Sequence, residues 1–143
     1  MNASLETEVW VRLMQGKPLE NSGLSTIDGR IDLRGLTAPK PSSLHQYFWE
    51  TYRVKELSNL VELRDVTWKG IDFSNSQLDS LRFLNCTIAN CRFEKARCQD
   101  WRMWGTKITN SNFRMADLRG SALGGVDNGK RNAFIKIDFA KAD

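Results

Sequence analysis

Between Leu63 and Leu123 the chain is apolar at every fifth residue. Steps of five from Leu63 meet thirteen apolar centres in unbroken register: Leu63, Trp68, Phe73, Leu78, Phe83, Ile88, Phe93, Cys98, Met103, Ile108, Phe113, Leu118 and Leu123. A helix repeats about every 3.6 residues and a strand every two, so neither element alone has this period. The pattern therefore predicts a repeat architecture with a unit of five residues.

Two further series flank each apolar centre. The residue two positions before it carries no charge and is mostly small, as in Ser76, Cys86, Ala96, Thr106 and Ser121. The residue two positions after it is Gly, Asn or Asp in ten of the thirteen repeats. Those residues tolerate turn geometry and positive φ. Each repeat is therefore predicted to be a short extended piece with two inward side chains, followed by a tight turn.

Four such pieces would close a square coil of about twenty residues, and successive coils would stack at about 4.8 Å, the spacing of paired strands. The coil is predicted to be right-handed, because parallel crossover connections usually are. The expected fold class is all-β, a right-handed quadrilateral parallel β-helix with a partly helical N-terminal cap.

The repeats resemble the pentapeptide-repeat family, whose pattern is roughly A-(D/N)-L-x-x. The best matches are Ala116-Asp117-Leu118-Arg119-Gly120 and Ile71-Asp72-Phe73-Ser74-Asn75. The resemblance covers residues 61–125 without a break. It implies the quadrilateral β-helix of that family, a fold with a binding surface and no evident catalytic site.

A step of twenty residues predicts an aromatic column through Phe73, Phe93 and Phe113. The next rung would fall at Ala133, but Phe139 restores the motif six residues late. We therefore predict an inserted loop at about 127–136, with Phe139 as the fourth rung of an interior column. The sequence stops before the next apolar centre. Either the natural protein extends beyond Asp143, or the last coil ends open as a surface through which a homodimer could form.

Residues 1–60 do not keep the five-residue register. Helical spacing of Leu5, Val9 and Leu13, with Gly16 as the stop, predicts a helix over residues 4–15. Residues 42–52 read as a second short helix, and Ile31-Asp32-Leu33-Arg34-Gly35 is one isolated repeat-like turn. Residues 1–60 are thus predicted to form a cap, which a solenoid needs over its open end, and residues 61–143 the β-helix.

Composition sets limits on location and partners. No apolar run approaches the ~18 residues that span a bilayer, so no membrane association is expected. The N-terminus lacks the cations and apolar core of a signal peptide, which predicts a cytoplasmic protein. Net charge is +4, and all of it falls in residues 61–143, with fourteen Lys or Arg against ten Asp or Glu.

The sequence offers little to an enzyme. His45 is the only histidine, which leaves a metal site or a histidine-based triad without a second ligand or partner. Cys86, Cys91 and Cys98 occupy inward positions, where cysteine behaves as a small hydrophobe. Phosphate-binding glycine motifs are absent. We expect no enzymatic activity, no cofactor, no metal and no small-molecule substrate.

One group of outward residues stands out as a candidate protein-binding site. Leu84 and Trp104 occupy equivalent outward positions one coil apart, and Arg82 and Arg102 flank them. Aromatic and arginine side chains are typical of interaction hot spots. Two hypotheses stay open at this point: the N-terminal cap covers this patch, or a protein partner does.

The predicted function is a non-enzymatic protein–protein interaction module, with a partner that the sequence does not specify. Some pentapeptide-repeat proteins mimic duplex DNA and bind gyrase, which makes a topoisomerase-interacting protein the first alternative. Such mimicry needs a strongly negative surface, and the net charge here has the opposite sign. Direct nucleic-acid binding is the second alternative. The charge distribution disfavours it, because basic residues occur on all four predicted sides with acids such as Asp72, Asp79 and Asp117 among them.

Overall fold

The computed structural model describes residues 3–19, 23–39 and 61–143. Within them the chain is mostly strand, with one short helix. The helix is α1 (Ala3–Gln15), and the strands are β1 (Thr26–Ile27), β2 (Arg30–Asp32), β3 (Glu62–Arg64), β4 (Thr67–Lys69), β5 (Ile71–Asp72), β6 (Arg82–Leu84), β7 (Thr87–Ala89), β8 (Arg102–Trp104), β9 (Lys107–Asn112), β10 (Ala122–Asp127), β11 (Lys130–Arg131) and β12 (Ala133–Asp138). The helix predicted over residues 42–52 lies outside the described residues.

Parallel pairing organises the repeats into four ladders. Strands β3, β6, β8 and β10 form one, and β4, β7, β9 and β12 form the next. The other two are held by β2, β5 and single bridges, such as Asp72 with Arg92 and Gln77 with Arg97. In order along the chain, the first ladder holds residues 61–65, 81–85, 101–105 and 121–125; the second 66–70, 86–90, 106–110 and 132–136; the third 31–35, 71–75, 91–95, 111–115 and 137–141; the fourth 36–39, 76–80, 96–100, 116–120 and 142–143.

The twenty-residue period is confirmed by the register of these pairs. Leu63 pairs with Phe83 and Phe83 with Met103 in the first ladder. Trp68 pairs with Ile88 in the second. Apart from Phe134 and Phe139 at the last rungs, the apolar centres of all four ladders turn inward and join one core, in which Leu63, Phe83 and Ile88 are fully buried.

A left-handed backbone residue ends each repeat. Twelve of the thirteen positions two residues after a centre have positive φ, between 48° at Asn110 and 76° at Gly120. Ser80, Lys95 and Met115 adopt this conformation without being Gly, Asn or Asp, so the fold imposes it on residues that disfavour it. Gly125 is the one position of the series that departs from the pattern.

The small polar residues before each centre satisfy backbone carbonyls inside the coil. Cys86 Sγ donates to the carbonyl oxygen of Leu63 at 3.2 Å, and Ser121 Oγ donates to that of Cys98 at 3.0 Å. Each donor lies 23 residues after its acceptor. Trp101 uses its indole Nε1–H in the same way, donating at 2.7 Å to the carbonyl oxygen of Leu78. These positions therefore favour Ser, Thr and Cys because a buried carbonyl without a donor is costly.

Carboxylates and amides before the centre brace the turns of the third and fourth ladders. The backbone N–H of Ser74 donates to Asp72 Oδ1 at 2.9 Å, and that of Arg119 to Asp117 Oδ1 at 3.1 Å. Asn112 caps Arg114 in the same manner. Side-chain hydrogen bonds from Arg119 and then Gln99 hold the pKa of Asp117 well below its ordinary value. The (D/N) position of the repeat is thus a local turn cap.

Helix α1 covers part of the N-terminal end of the core. Trp10 meets Trp68 edge to face at a ring-centre distance of 6.2 Å, and Trp68 Nε1 donates to the carbonyl oxygen of Leu13. Gly16, with φ of 67°, follows the helix as predicted. The predicted apolar face was wrong at Leu5, which is 41% exposed. Trp10, one turn from Leu13 on the same side of the helix, fills the core in its stead.

The repeat-like turn at residues 31–35 forms the lowest rung of the third ladder. Ile31 pairs in parallel with Ile71, and the Leu33 side chain is buried in the shared core. On its free edge β2 pairs with β1 through a two-residue turn at Asp28 and Gly29, both with positive φ. This hairpin covers a strand edge that would otherwise present unpaired backbone groups.

The inserted residues form a β-hairpin, not an irregular loop. Strands β10 and β11 pair across Asn128 and Gly129, both with positive φ, as in a two-residue hairpin turn. The ladder register resumes at Ala133, which pairs with Lys107, so the predicted loop at 127–136 extended too far toward the C-terminus. The sequence alone could not show that Ala133 is a ladder residue, because its centre, Phe134, follows the insertion without a preceding repeat.

The predicted aromatic column is confirmed in order and spacing. Phe73, Phe93, Phe113 and Phe139 stack with ring centres 5.2, 4.5 and 5.4 Å apart and interplanar angles of 22° or less. The expectation that Phe139 would be interior was wrong, since its side chain is 41% exposed. Phe139 is the last rung, so it packs against Phe113 on one face only.

Replacement of Phe93 by Ala should lower the free energy of unfolding by roughly 3–5 kcal/mol, because it empties a fully enclosed site between two stacked rings. Chemical denaturation followed by circular dichroism measures this loss. Phe139→Ala is the matched control: its ring contacts one neighbour, so we expect a much smaller loss. A loss below about 1 kcal/mol for Phe93→Ala would mean that the column does not hold the core together.

Candidate functional site

The candidate site lies on the outer face of the first ladder, where β6 and β8 pair in parallel. Arg82 pairs with Arg102 and Leu84 with Trp104, so each predicted pair is one rung apart. The intervening centres, Phe83 and Met103, are buried. All four candidate residues are partly exposed, as the alternation of an extended strand requires when its outer face is only partly covered. The structure therefore brings together the four residues that the sequence singled out.

The two arginines of this face brace the backbone of neighbouring coils. The Arg82 guanidinium donates to the carbonyl oxygens of Leu81 and Asp100, and its side chain is 12% exposed. Arg102 donates to the carbonyl oxygen of Gly120 at 2.6 Å and pairs with Asp100 at 3.0 Å. Both guanidinium groups thus cap turns of their own fold. The sequence could not show this, because the carbonyl acceptors lie eighteen residues ahead in each case.

A bulge in β10 brings the backbone against the Trp104 indole. Ala122 pairs with Arg102, but Gly125 instead of Gly124 pairs with Trp104. A Cβ atom added at Gly125 would collide with the Met103 carbonyl oxygen and with the indole. Trp104 is therefore half-buried by a later segment of its own chain, which neither of the two sequence hypotheses included.

The β10–β11 hairpin is fixed to the corner between the first and second ladders. Lys130 Nζ donates to Asn85 Oδ1 at 2.9 Å, two coils below. The Asn132 side chain donates to the carbonyl oxygens of Met103 and Leu123 and accepts from the Thr106 N–H. The exposed part of the Leu84–Trp104 pair is consequently bordered by this hairpin on one side and by the arginines on the other.

Charge is divided unevenly among the ladders. In the described parts of the chain every ion pair uses an arginine, and these pairs join residues of the first, third and fourth ladders and of the β1–β2 turn. Outward strand positions of the second ladder carry Lys69 and Lys107 and no carboxylate, and both lysines are exposed. Sequence reasoning missed this difference. Sorting the outward residues by position modulo twenty would have found it.

The three cysteines are buried, and burial makes their thiols less reactive. Cys86, Cys91 and Cys98 are free thiols, and none exposes more than 1% of its surface. Burial raises the pKa of all three, that of Cys91 to about 12. Over residues 3–19, 23–39 and 61–143 no group of three or more His, Cys, Asp or Glu side chains is arranged to hold a metal ion. No helix in these ranges is long and apolar enough to cross a membrane.

A comparison with models of known protein families identifies the same five-residue repeats. A family model described as pentapeptide repeats matches residues 88–125 in eight copies. The resemblance to the pentapeptide-repeat family is thereby confirmed, and the ladders carry the same register above and below the matched segment. Pentapeptide repeats imply a β-helical solenoid. No curated protein matches the chain.

The three thiols should be unreactive in the folded protein. At pH 8 we expect iodoacetamide to label Cys86, Cys91 and Cys98 only at the rate of unfolding, since the thiolate is the nucleophile. Their raised pKa values favour the folded state below pH 9, and this contribution falls as the pH rises from 9 toward the folded-state value, about 12 for Cys91. Mass spectrometry of labelled protein, with a denaturant-unfolded sample as control, measures the protection. Rapid labelling of native protein would contradict it.

Proposed function

We propose that this protein is a non-enzymatic protein–protein interaction module built on a right-handed quadrilateral β-helix with a partly helical N-terminal cap. The main support for this proposal is that side chains fill the interior of the coil and leave no room for a ligand along its axis. Centres such as Leu63, Phe83 and Phe93 are completely buried. The activity therefore belongs to the outer faces and the ends. A right-handed coil is supported by the parallel pairing of successive rungs, since parallel crossovers are right-handed in nearly all known cases.

The first ladder supplies the proposed contact surface. Leu84 and Trp104 offer a small apolar patch, and the rigid ladder beneath holds it in one conformation. Rigid aromatic anchors limit the entropy lost on binding. Arg82 and Arg102 then contribute mainly the stems that border the patch, because their guanidinium groups are engaged with turn carbonyls.

Two other functions find less support. Buried thiols with raised pKa values argue against cysteine-based nucleophilic catalysis. A DNA mimic that binds a topoisomerase needs a dense negative surface, whereas residues 61–143 carry a net +4. The exposed lysines of the second ladder give that face a positive charge, whereas a mimic of the DNA phosphates needs a negative one.

Trp104→Ala should abolish capture of the partner if this surface binds it. Tagged full-length protein would be used in a pull-down from the source cell, with captured proteins identified by mass spectrometry. Met115→Ala is the matched control, because Met115 is an exposed apolar residue on the third ladder. We expect the control to retain the partner and both variants to keep the melting temperature of the wild type within a few degrees.

The opposite pattern would defeat the proposed surface. A large drop in melting temperature for Trp104→Ala, with partner capture unchanged, would mean that the indole serves only to pack against Gly125. Recovery of a topoisomerase that binds the wild type and the Trp104 variant equally would favour the DNA-mimic alternative.

Self-association through the C-terminal coil is a second proposal. Phe134 and Phe139 top the second and third ladders and are 38% and 41% exposed, and Ile135 beside them is 46% exposed. Exposed apolar groups of this kind favour association. Light scattering after size exclusion should give a dimer mass at high concentration for the wild type and a monomer for Phe134→Glu. A monomer for the wild type at all concentrations would remove this proposal.

A further inference from the structure

The second ladder is the one face of the repeat region whose outward strand positions hold cations and no acids. These positions are Thr67, Lys69, Thr87, Ala89, Lys107, Thr109, Ala133 and Ile135. Lys136 follows at the corner and is exposed. The Thr and Ala side chains between the lysines are short. They form a flat surface, the floor of this face, from which the longer lysine side chains project.

Among the described residues, the carboxylates near this face lie at its borders. Asp65, at the corner with the first ladder, accepts a hydrogen bond from Asn85 at 2.7 Å. Asp127 lies in the β10–β11 hairpin, next to Gly105. On the opposite border Asp28 pairs with Arg92 at 3.4 Å, and Arg30 donates to Asn90. The lysines of the floor have no carboxylate partner among the described residues.

A cavity of about 160 Å³ lies at the N-terminal end of the same face. Among the described residues three cations line it, Arg12, Lys17 and Lys69, and no carboxylate does. Its remaining wall is largely apolar, with Leu13, Leu19, Ile31, Trp68 and Ile71. A cavity with an apolar wall and a basic rim suits a side chain that is apolar and is followed by acidic groups. At the other end of the face Ile135 is an exposed apolar contact.

We infer that the second ladder, together with this cavity, binds an acidic polypeptide segment that has an apolar residue at each end. The inference rests on the proposed interaction function and specifies the chemistry of a partner. Three rung spacings separate Lys69 from Ile135, about 14 Å along the coil axis, which about five extended residues span. The carboxylates of the segment face Lys69 and Lys107, and its apolar ends meet the cavity and Ile135.

An acidic polypeptide fits this face better than a nucleic acid does. Lys69 and Lys107 lie two rungs apart and on opposite sides of the strand centre, so about 12 Å separates their positions. A duplex carries one phosphate per about 1.7 Å of axis, and nucleic-acid binders neutralise many phosphates at once. The outward positions of the second ladder also carry no aromatic side chain on which a base could stack. Aliphatic contacts at both ends, in contrast, have no counterpart in a phosphate backbone.

Fluorescence anisotropy with the purified full chain tests the inference directly. The probe is a fluorescein-labelled peptide of sequence Leu-Asp-Glu-Glu-Asp-Leu. Comparison ligands are the same peptide with Asn and Gln at the acidic positions, and a labelled oligothymidylate of similar charge. We expect the acidic peptide to bind with Kd of about 10–100 μM at low salt and to weaken as salt screens the charges. The uncharged peptide should bind at least about tenfold more weakly.

Charge reversal locates the site. Lys69→Glu with Lys107→Glu should weaken acidic-peptide binding by at least about tenfold, because two attractive contacts become repulsive. The matched control reverses two exposed lysines of the third ladder, Lys95→Glu with Lys141→Glu, and gives the same net charge. It should change Kd by less than about twofold. If circular dichroism shows that Lys69→Glu with Lys107→Glu does not fold, Lys69→Gln with Lys107→Gln replaces it.

Three results would overturn the inference. One is no binding of the acidic peptide to the wild type. Another is an equal loss for both double variants, which would mean that net charge alone attracts the peptide. The third is tighter binding of the oligothymidylate, which would assign the face to nucleic acid. None of these results bears on the Trp104 pull-down, so the interaction function can stand while this inference fails.

Discussion

A left-handed backbone residue at the end of almost every five-residue repeat is the constraint on which the rest of this structure depends. It turns the chain through a corner, and four corners return it one strand spacing higher. L-residues disfavour that conformation, yet Ser80, Lys95 and Met115 adopt it as readily in the structure as Gly70 or Asn85. Local preference cannot explain those three, so stacking of neighbouring coils must stabilise their turns.

The same stacking explains how a narrow coil can tolerate so much buried backbone. Carbonyl groups near each corner turn toward the interior, where unsatisfied acceptors are costly. Cys86, Ser121 and Trp101 each donate to such a carbonyl on the preceding coil. Arg82 and Arg102 do so from outside, at the turns of the following coil. Side chains that the sequence suggests as packing or recognition groups thus donate hydrogen bonds to the backbone of their own fold. The guanidinium groups of the first-ladder patch are therefore less available to a partner.

The two ends of the repeat region are treated differently. At the N-terminal end Trp10 and Leu13 of α1 cover the core, and the hairpin at Asp28 and Gly29 covers a strand edge. At the C-terminal end Phe139 still stacks on Phe113 but remains 41% exposed. Between the ends, ion pairs neutralise most arginines of three ladders, and the second ladder keeps its lysines free of carboxylates within the described ranges. Specific binding is therefore proposed where apolar or cationic groups remain available.

The sequence by itself determined the twenty-residue coil, the inward centres and the aromatic column, because these follow from a strict five-residue period and from turn residues that act locally. It also placed Leu84 beside Trp104 correctly, since register alone sets that pair. Only the tertiary structure decided what covers them. Gly125 reaches the indole through a bulge, and Arg82 meets the carbonyl of Asp100 across a coil boundary. Those contacts depend on hairpin geometry and on side-chain reach between coils, which a pattern of apolar and polar positions does not encode.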